Sequence, residues 1–484
     1  MKICVVGGGT AGFVAALILK KSYPDYIVDV IRSTKIGTIG VGEGSTEHWS
    51  AFMDFCGIPV GELIKETDAT FKSGIMFQNW SDKDFLQSVH DPFVGEHMGL
   101  PLMYAKLIAD KVPPKDLVGS YTWNSYTPFN KYMEERPNDT GVSQYHFNTS
   151  KLNDFLTNKA QDLGCKVIDD EIVDVVVDEK GIDYIKGVSE YYDYDFYIDC
   201  TGFARLLIGK LGGKWQSYSK YLKMKEAIVF PTEEEDEIPI WTVARAMDSG
   251  WMFRIPVWGR KGNGYIYDSD FISADEAKIE AEKILGHEVS VAKKLKFDPG
   301  AIDKPWINNV CAIGLSASFV EPLEASSIGT SINQSFLLAQ RIVNYNQDTI
   351  VRYNKEVEAI MNNIRDFICL HYITNKTHTE FWKHLQEVNI PDSLADNLNM
   401  WKTRLPIADD FTDHTKKIIF NEYNYILVMY GLGLLDTQAV RKQFESIPME
   451  AKQFVEQQIQ SKLQNDRLKS IPHKMMLDLI RRLS

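Results

Sequence analysis

The chain has 484 residues, of which 44% are hydrophobic, 25% charged and 12% aromatic, and its net charge is −13. That profile fits an ordinary globular protein too long for one core, so two domains or one large α/β domain with a helical extension is expected. The negative balance argues against a nucleic-acid partner, whose phosphates would be repelled. No run approaches the roughly 18 uninterrupted apolar residues of a membrane span, so no membrane association is expected.

Lys2-Ile-Cys-Val-Val6 is a run of β-formers that ends in Gly7-Gly-Gly-Thr-Ala-Gly12 and passes straight into the apolar helical pattern Phe13–Lys20. This is G-x-G-x-x-G between a strand and a helix, the context that a dinucleotide fingerprint requires. Gly7 suits the tight turn, Gly9 lets backbone amides near a pyrophosphate, and Gly12 lets helix and strand pack closely. The positive end of the helix dipole, at Thr10 and Ala11, then faces the phosphates. A second strand is expected over Tyr26–Arg32. About 20 residues past the glycines an acidic side chain usually holds the adenosine ribose. Here that place is taken by Arg32-Ser33, leaving Arg32 to meet a phosphate or stack on adenine, or Ser33 to take the hydroxyl. The glycine-dense loop Lys35–Ser45, with Gly42-Glu43-Gly44 near its end, leaves room for backbone to touch a cofactor.

Helical pattern follows from about Thr46 to Cys56, whereas residues 81–145 are polar, aromatic and turn-rich, the character of a segment that covers a site. A helix up to about Leu163 leads to strands at 165–169, 172–178 and 194–199, the last closing on Gly202. Residues 1–202 therefore read as a two-part nucleotide domain with an insertion. Residues 224–270 read as sheet, and the pattern after about 345 is mostly helical, with apolar residues at three-to-four spacing in Phe454–Leu463 and Met475–Leu483. The expected organisation is a 1–345 nucleotide-binding module, carrying the covering insertion and the sheet, and a helical 346–484 cap. Six scattered cysteines without a C-x-x-C read as buried thiols of a reducing compartment, with no metal site and no disulfide framework. Cleavage of the only N-terminal apolar run would destroy the fingerprint, so a cytoplasmic location is expected.

Several separate segments match one family. Ile39-Gly-Val-Gly-Glu-Gly44 with Phe71-Lys72, Asp199-Cys-Thr-Gly-Phe203, Gly250-Trp-Met-Phe-Arg-Ile-Pro256, Phe319-Val-Glu-Pro-Leu-Glu324 and Arg365–Tyr372 together resemble the flavin-dependent halogenases of the tryptophan-halogenase type. The resemblance implies a Rossmann-like, two-part FAD-binding α/β domain of the flavin monooxygenase type, with a β-sheet substrate region and a mostly helical C-terminal part. It implies an oxidoreductase that uses FADH2 from a separate flavin reductase, O2 and halide (chloride, bromide or iodide) to form hypohalous acid, which reacts with a small aromatic substrate.

Under that resemblance Lys72 carries the last step, as an ammonium hydrogen-bonded to hypohalous acid or as a haloamine. The haloamine role gains from burial, which lowers a lysine's pKa. Glu324 assists by taking a proton or polarising the electrophile, although a carboxylate at the start of a helix is favourable for electrostatic reasons alone. Backbone amides of Ser326 and Ser327 hold the halide. Gly7, Gly9, Thr10, Ala11, Gly12, Arg32, Ser33, Gly42, Glu43, Gly44, Ile172, Gly314, Leu315 and Ile328 contact the flavin. Trp251, Phe253, Ile255 and Pro256 form a barrier that keeps organic substrate from the flavin, and His90 and Phe93 sandwich the substrate ring. Three departures stand out: Phe253 replaces a tryptophan, Ala325 replaces a serine, and Phe420–Gly433 has no convincing tyrosine pair for an amino-acid head group. Free tryptophan is therefore doubtful, and another indole or a phenol is expected. An FAD-dependent aromatic monooxygenase and a non-catalytic flavoprotein are the competing readings, and homo-oligomerisation stays open.

Overall fold

The strand Lys2–Val6 is apolar throughout its inner four residues, and Ile3, Cys4, Val5 and Val6 are all buried. Such a run belongs in the middle of a parallel sheet covered on both faces. In the computed structural model it pairs in parallel with Ile27–Arg32 on one side and Phe196–Asp199 on the other. Val167–Asp169 and Val310–Ala312 extend the sheet in parallel, and Trp306–Ile307 closes it antiparallel. Residues 1–37, 42–89, 101–114, 117, 124–128, 142–411, 418–468 and 470–483 are described.

This sheet belongs to the first of two units, made of Met1–Ala69, Phe147–Ser219 and Asp298–Asn362. Thr70–His146, Lys220–Phe297 and Asn363–Ser484 form the second. The units are interleaved along the chain.

In the first unit, helix Thr10–Ser22 buries Gly12 through Leu19 and packs against helices Thr149–Asp162 and Ser326–Ala339. The buried carboxylate of Asp199 ties the sheet's end to its loops. Its Oδ1 accepts from the Thr201 N–H (3.0 Å), the Thr201 hydroxyl (2.7 Å) and the Ser316 hydroxyl (3.0 Å). Its Oδ2 accepts from the N–H groups of Leu207 and Ile208, both at 2.9 Å.

The second unit is built on a seven-stranded sheet in the order Lys293–Lys296, Glu226–Glu233, Arg260–Tyr267, Gly250–Val257, Trp241–Met247, Gly74–Gln78, Phe85–Ser88. Only the junction of Trp241–Met247 with Gly74–Gln78 is parallel. The edge strand Lys293-Lys-Leu-Lys296 carries lysines that discourage further pairing. Helix Ala274–Leu285, started by a Ser273/Glu276 capping box, covers the core of Ile228, Phe230, Met252 and Tyr265. Among the described residues, helices Leu102–Ala109, Glu380–Leu385, Asp392–Trp401, Glu422–Gly431, Thr437–Glu445, Met449–Leu468 and His473–Leu483 and the end of Gln347–His371 also belong to the unit. An aromatic core of Phe77, Trp80, Phe85, Phe367, His371 and Trp382 lies between helices and sheet. The indoles of Trp80 and Trp382 donate to the carbonyls of Ala244 (3.0 Å) and Met247 (2.8 Å) on one strand. Here the aromatic richness of the sequence is spent on packing.

The Asp199 arrangement makes a stability prediction. In Asp199→Asn, either orientation of the amide points an NH2 group at two or more donors. The variant should unfold with a loss of about 2–4 kcal/mol, measured by denaturant titration, because buried N–H groups lose a charged acceptor.

Candidate active site

The nucleotide loop is formed within the first unit. Gly7 turns the chain with φ +117°, and a side chain there would overlap the Cys200 carbonyl. Its N–H donates to the Ile31 carbonyl at 2.8 Å. Helix Thr10–Ser22 begins at once, with Gly9 as a cap that offers no side-chain acceptor. The first N–H groups of the helix, at Thr10, Ala11 and Gly12, have no acceptor within it. A methyl group on Gly9 would meet nothing within 4 Å, so open space lies beside this cap. Amides, dipole and open space together fit the pyrophosphate of a dinucleotide such as FAD.

Around this loop, the stem of Arg32 packs on Gly8 while its guanidinium donates to the Thr157 hydroxyl at 3.1 Å, with Ser33 half-buried beside it. Ile172 opens the strand Ile172–Asp178 and is half-buried. Gly314 and Leu315 lie in the turn Gly314–Ser316, where the Gly314 N–H donates to Gln334 Oε1 at 3.1 Å. Gly42 and Gly44 are buried, and burial pushes the carboxyl of Glu43 between them up to about 7, a rise only partly offset by hydrogen bonding with Thr10. Near neutral pH a large share of Glu43 is therefore uncharged beside the helix start. Residues 38–41 of this loop lie outside the described residues.

Glu324 ends the tight turn Pro322–Glu324, and Ala325 follows at φ +53° before helix Ser326–Ala339 begins. A left-handed alanine costs about 1–2 kcal/mol, so its surroundings hold this corner in place. The Ala325 N–H donates to the Pro322 carbonyl at 3.1 Å, and Glu324 and Ser326 are each only 2% exposed. Ala325 brings no side-chain cap, so the N–H groups of Ser326 and Ser327 at the first turn have no helical acceptor. Ile328 is buried one position further on.

Lys72 belongs to the second unit. It ends the strand Thr70–Lys72, is 1% exposed, and pairs directly opposite Gln144 on the strand Gln144–Phe147. Its Nζ donates to Gln144 Oε1 at 3.2 Å. The register places Thr70 opposite His146, so Thr70, Lys72, Gln144 and His146 share one face. Thr70 donates its hydroxyl proton to the Pro256 carbonyl (2.7 Å) and so accepts from His146 Nδ1 (3.1 Å). His146 Nε2 then accepts from the Thr242 hydroxyl at 2.9 Å. Burial, then the charge of Lys72 and then His473, hold His146 well below the ordinary histidine range, so the ring is neutral. Burial also lowers His473 to about 4; its Nε2 accepts from the Phe71 N–H (3.1 Å) and its Nδ1 donates to the Ile238 carbonyl (3.0 Å).

Trp251, Phe253 and Ile255 occupy every second position of the strand Gly250–Val257 and Pro256 follows at once, all buried, with the Trp251 and Phe253 rings 6.2 Å apart. Phe253 pairs with Gly264, and its ring occupies the space that a side chain at Gly264 would need. His90 and Phe93 lie outside the described residues. The reading from sequence passed over Thr70, Gln144, His146 and Thr242. Their signal is polar residues at every second position of short strands that are otherwise apolar, a polar stripe turned inward.

The Rossmann-like sheet, its glycine loop and the buried lysine strand define a class as well as a fold. The tryptophan halogenase family profile matches residues 2–446, and the chain belongs to that family of flavin-dependent halogenases. It is 29% identical to the tryptophan 6-halogenase SttH of Streptomyces toxytricini over 506 aligned positions, covering 94% of this chain and 96% of that enzyme. The crystal structure of a tryptophan halogenase from Shewanella frigidimarina superposes with a TM-score of 0.91 at 26% identity, covering 100% of this chain and 98% of that one. Tar14, a tryptophan C-6 halogenase (chlorinase) from taromycin biosynthesis, gives 0.89 at 26% identity, with 99% of each chain covered. No described helix is long and apolar enough to cross a membrane, and no group of three or more His, Cys, Asp or Glu suited to a metal occurs among the described residues.

Two predictions test this geometry. Glu43 has a folded pKa raised above its unfolded value, so it favours the fold at low pH and loses that contribution as pH rises through about 7. The charge it then acquires stands beside the helix start, so FAD affinity, measured by flavin fluorescence, should weaken on the order of tenfold across this window. Glu43→Gln should flatten that dependence. Separately, Gly264→Ala should destabilise the protein by about 1–3 kcal/mol through overpacking against Phe253. Phe253→Leu should remove most of that penalty in the double variant, as thermal unfolding would record.

Proposed function

We propose that this enzyme halogenates an electron-rich aromatic compound of the indole or phenol type, with Lys72 delivering the halogen and Glu324 assisting. The observation that carries the reading is a lysine held 1% exposed at the motif position of a chain from the tryptophan halogenase family. Reduced FAD, supplied by a separate reductase, would when bound supply the electrons with which O2 oxidises halide to hypohalous acid. Its pyrophosphate would be held by Gly7, Gly9, Thr10, Ala11 and Gly12, and the halide by the amides of Ser326 and Ser327.

The Lys72 ammonium donates a hydrogen bond to the oxygen of hypohalous acid, which draws electrons from the halogen. The ring attacks, the oxygen–halogen bond breaks, a carbon–halogen bond forms, and the departing hydroxide leaves as water with a proton from the ammonium. Glu324 takes the proton lost from the ring, which restores aromaticity. Trp251, Phe253, Ile255 and Pro256 keep organic substrate from the flavin, so that halide is oxidised in its place.

The tyrosines of the segment 420–433 bear on the substrate, and Tyr423 packs against Tyr104. Tyr425 packs against Phe367, Trp401 and Phe411, and the Tyr430 hydroxyl donates to the Val112 carbonyl at 2.7 Å. Tyrosines engaged in this way support a substrate other than free tryptophan.

The test incubates the protein with FAD, a generic flavin reductase, NADH and each halide in turn. Indole, L-tryptophan and a set of phenols serve as acceptors, read by mass spectrometry with catalase present. A halogen mass shift is expected, reduced by at least about 100-fold in Lys72→Ala and by about 10- to 100-fold in Glu324→Gln. Hydroxylated product without halogen would replace this reading with the monooxygenase.

A further inference from the structure

We propose that Gln144 is a positioning residue for Lys72: its side-chain carbonyl fixes the ammonium in the donating form and direction that halogen transfer requires. The inference rests on the catalytic reading of Lys72 and adds a residue that reading does not include. A lysine has a flexible four-carbon stem and three donor protons, so burial alone does not aim it. Gln144, 2% exposed and directly opposite in the strand register, takes one of those protons at 3.2 Å. The stem is thereby pinned between two paired strands, and the remaining N–H bonds have defined directions.

The chemical character of the partner matters as much as its place. An amide oxygen stabilises the protonated amine by hydrogen bonding, which opposes the neutral amine that a haloamine needs. The neighbour on the same face completes the setting. His146 is neutral, with Nδ1 spent on Thr70 and Nε2 on Thr242, so it places no second cation beside the lysine. His473, bonded to the backbone of Phe71, is neutral as well at any pH well above 4. On this face, Gln144 offers Lys72 an acceptor and His146 an uncharged ring.

The experiment compares the native enzyme with Gln144→Met, which keeps the length but removes the acceptor, and Gln144→Glu, which keeps an acceptor at that reach. Indole, L-tryptophan and phenol, each with bromide, serve as acceptors. Gln144→Met should lower kcat about 10- to 100-fold while KM for the aromatic stays within about twofold, the signature of lost aim without lost binding. NADH-driven bromide oxidation should continue, with unspent hypobromous acid appearing in an added methionine trap as the sulfoxide. A purely structural role would instead reduce oxidation and halogenation together. Gln144→Glu should recover activity to within about tenfold of native. Should Gln144→Met melt early, Gln144→Asn, one methylene too short to reach, takes its place. Native kcat without the acceptor, or a glutamate variant as poor as the methionine one, would overturn the proposal. Lys72→Ala separates the two levels. If it still halogenates, the reading of Lys72 fails; if it is inactive while Gln144→Met is normal, only the role of Gln144 fails.

Discussion

A single buried carboxylate sets the geometry of the first unit. Asp199 sits where the strand Phe196–Asp199 ends, and it accepts from five donors on three stretches of chain. Charge-assisted bonds of this kind are shorter and stronger than neutral ones, and leaving any of these donors unmet inside the protein is costly. The result is that the turn after the strand, the segment at 207–208 and the turn Gly314–Ser316 are held to one point. Gly7 approaches the Cys200 carbonyl, next to Asp199, so closely that only a glycine fits. The fingerprint loop and the turn carrying Gly314 and Leu315 are therefore tied to one charge, and the residues proposed to hold the flavin share that anchor.

The second unit depends on packing instead of charge. Its sheet is clamped by helices through an aromatic core, and tryptophan N–H groups stitch that core to a single strand. Aromatic side chains bury large areas with few rotatable bonds, so they rigidify what they support. The strand Gly250–Val257, with the residues proposed as a barrier, gains a firm base from this packing; in the proposed reaction that matters because misplacement by about 1 Å can cost two orders of magnitude in rate.

Much of this was legible in the sequence wherever the physics is local. A β-former run, three glycines and an apolar helix lie within the first 20 residues, and the structure reproduces them as strand, turn and helix. The sheet of residues 224–270 was equally plain, since each strand and turn is contiguous. What escaped notice was set by distance along the chain. Gln144 is 72 residues from Lys72, and Thr242 is 96 residues from His146. No periodicity in either segment announces the other. The helix Leu102–Ala109 was likewise hidden inside a stretch whose average composition looks like loop. Grouping of the elements was hidden too, because the units draw on alternate segments and packing, unlike pattern, has no fixed range.

The string of bonds through His146 has a direction, and a peptide carbonyl sets it. Pro256 offers an oxygen and nothing else, so Thr70 must send its proton there, which settles the imidazole tautomer and, through it, the orientation of the Thr242 hydroxyl. The strand Gly250–Val257 thus dictates where protons sit on the strand next to Lys72. A shift of that strand large enough to break the Pro256 contact would free the Thr70 hydroxyl to turn its proton toward Nδ1, and the string could then run in the opposite sense with the other imidazole tautomer. The orientation of the dipoles beside Lys72 is accordingly set in part by backbone placement on a neighbouring strand.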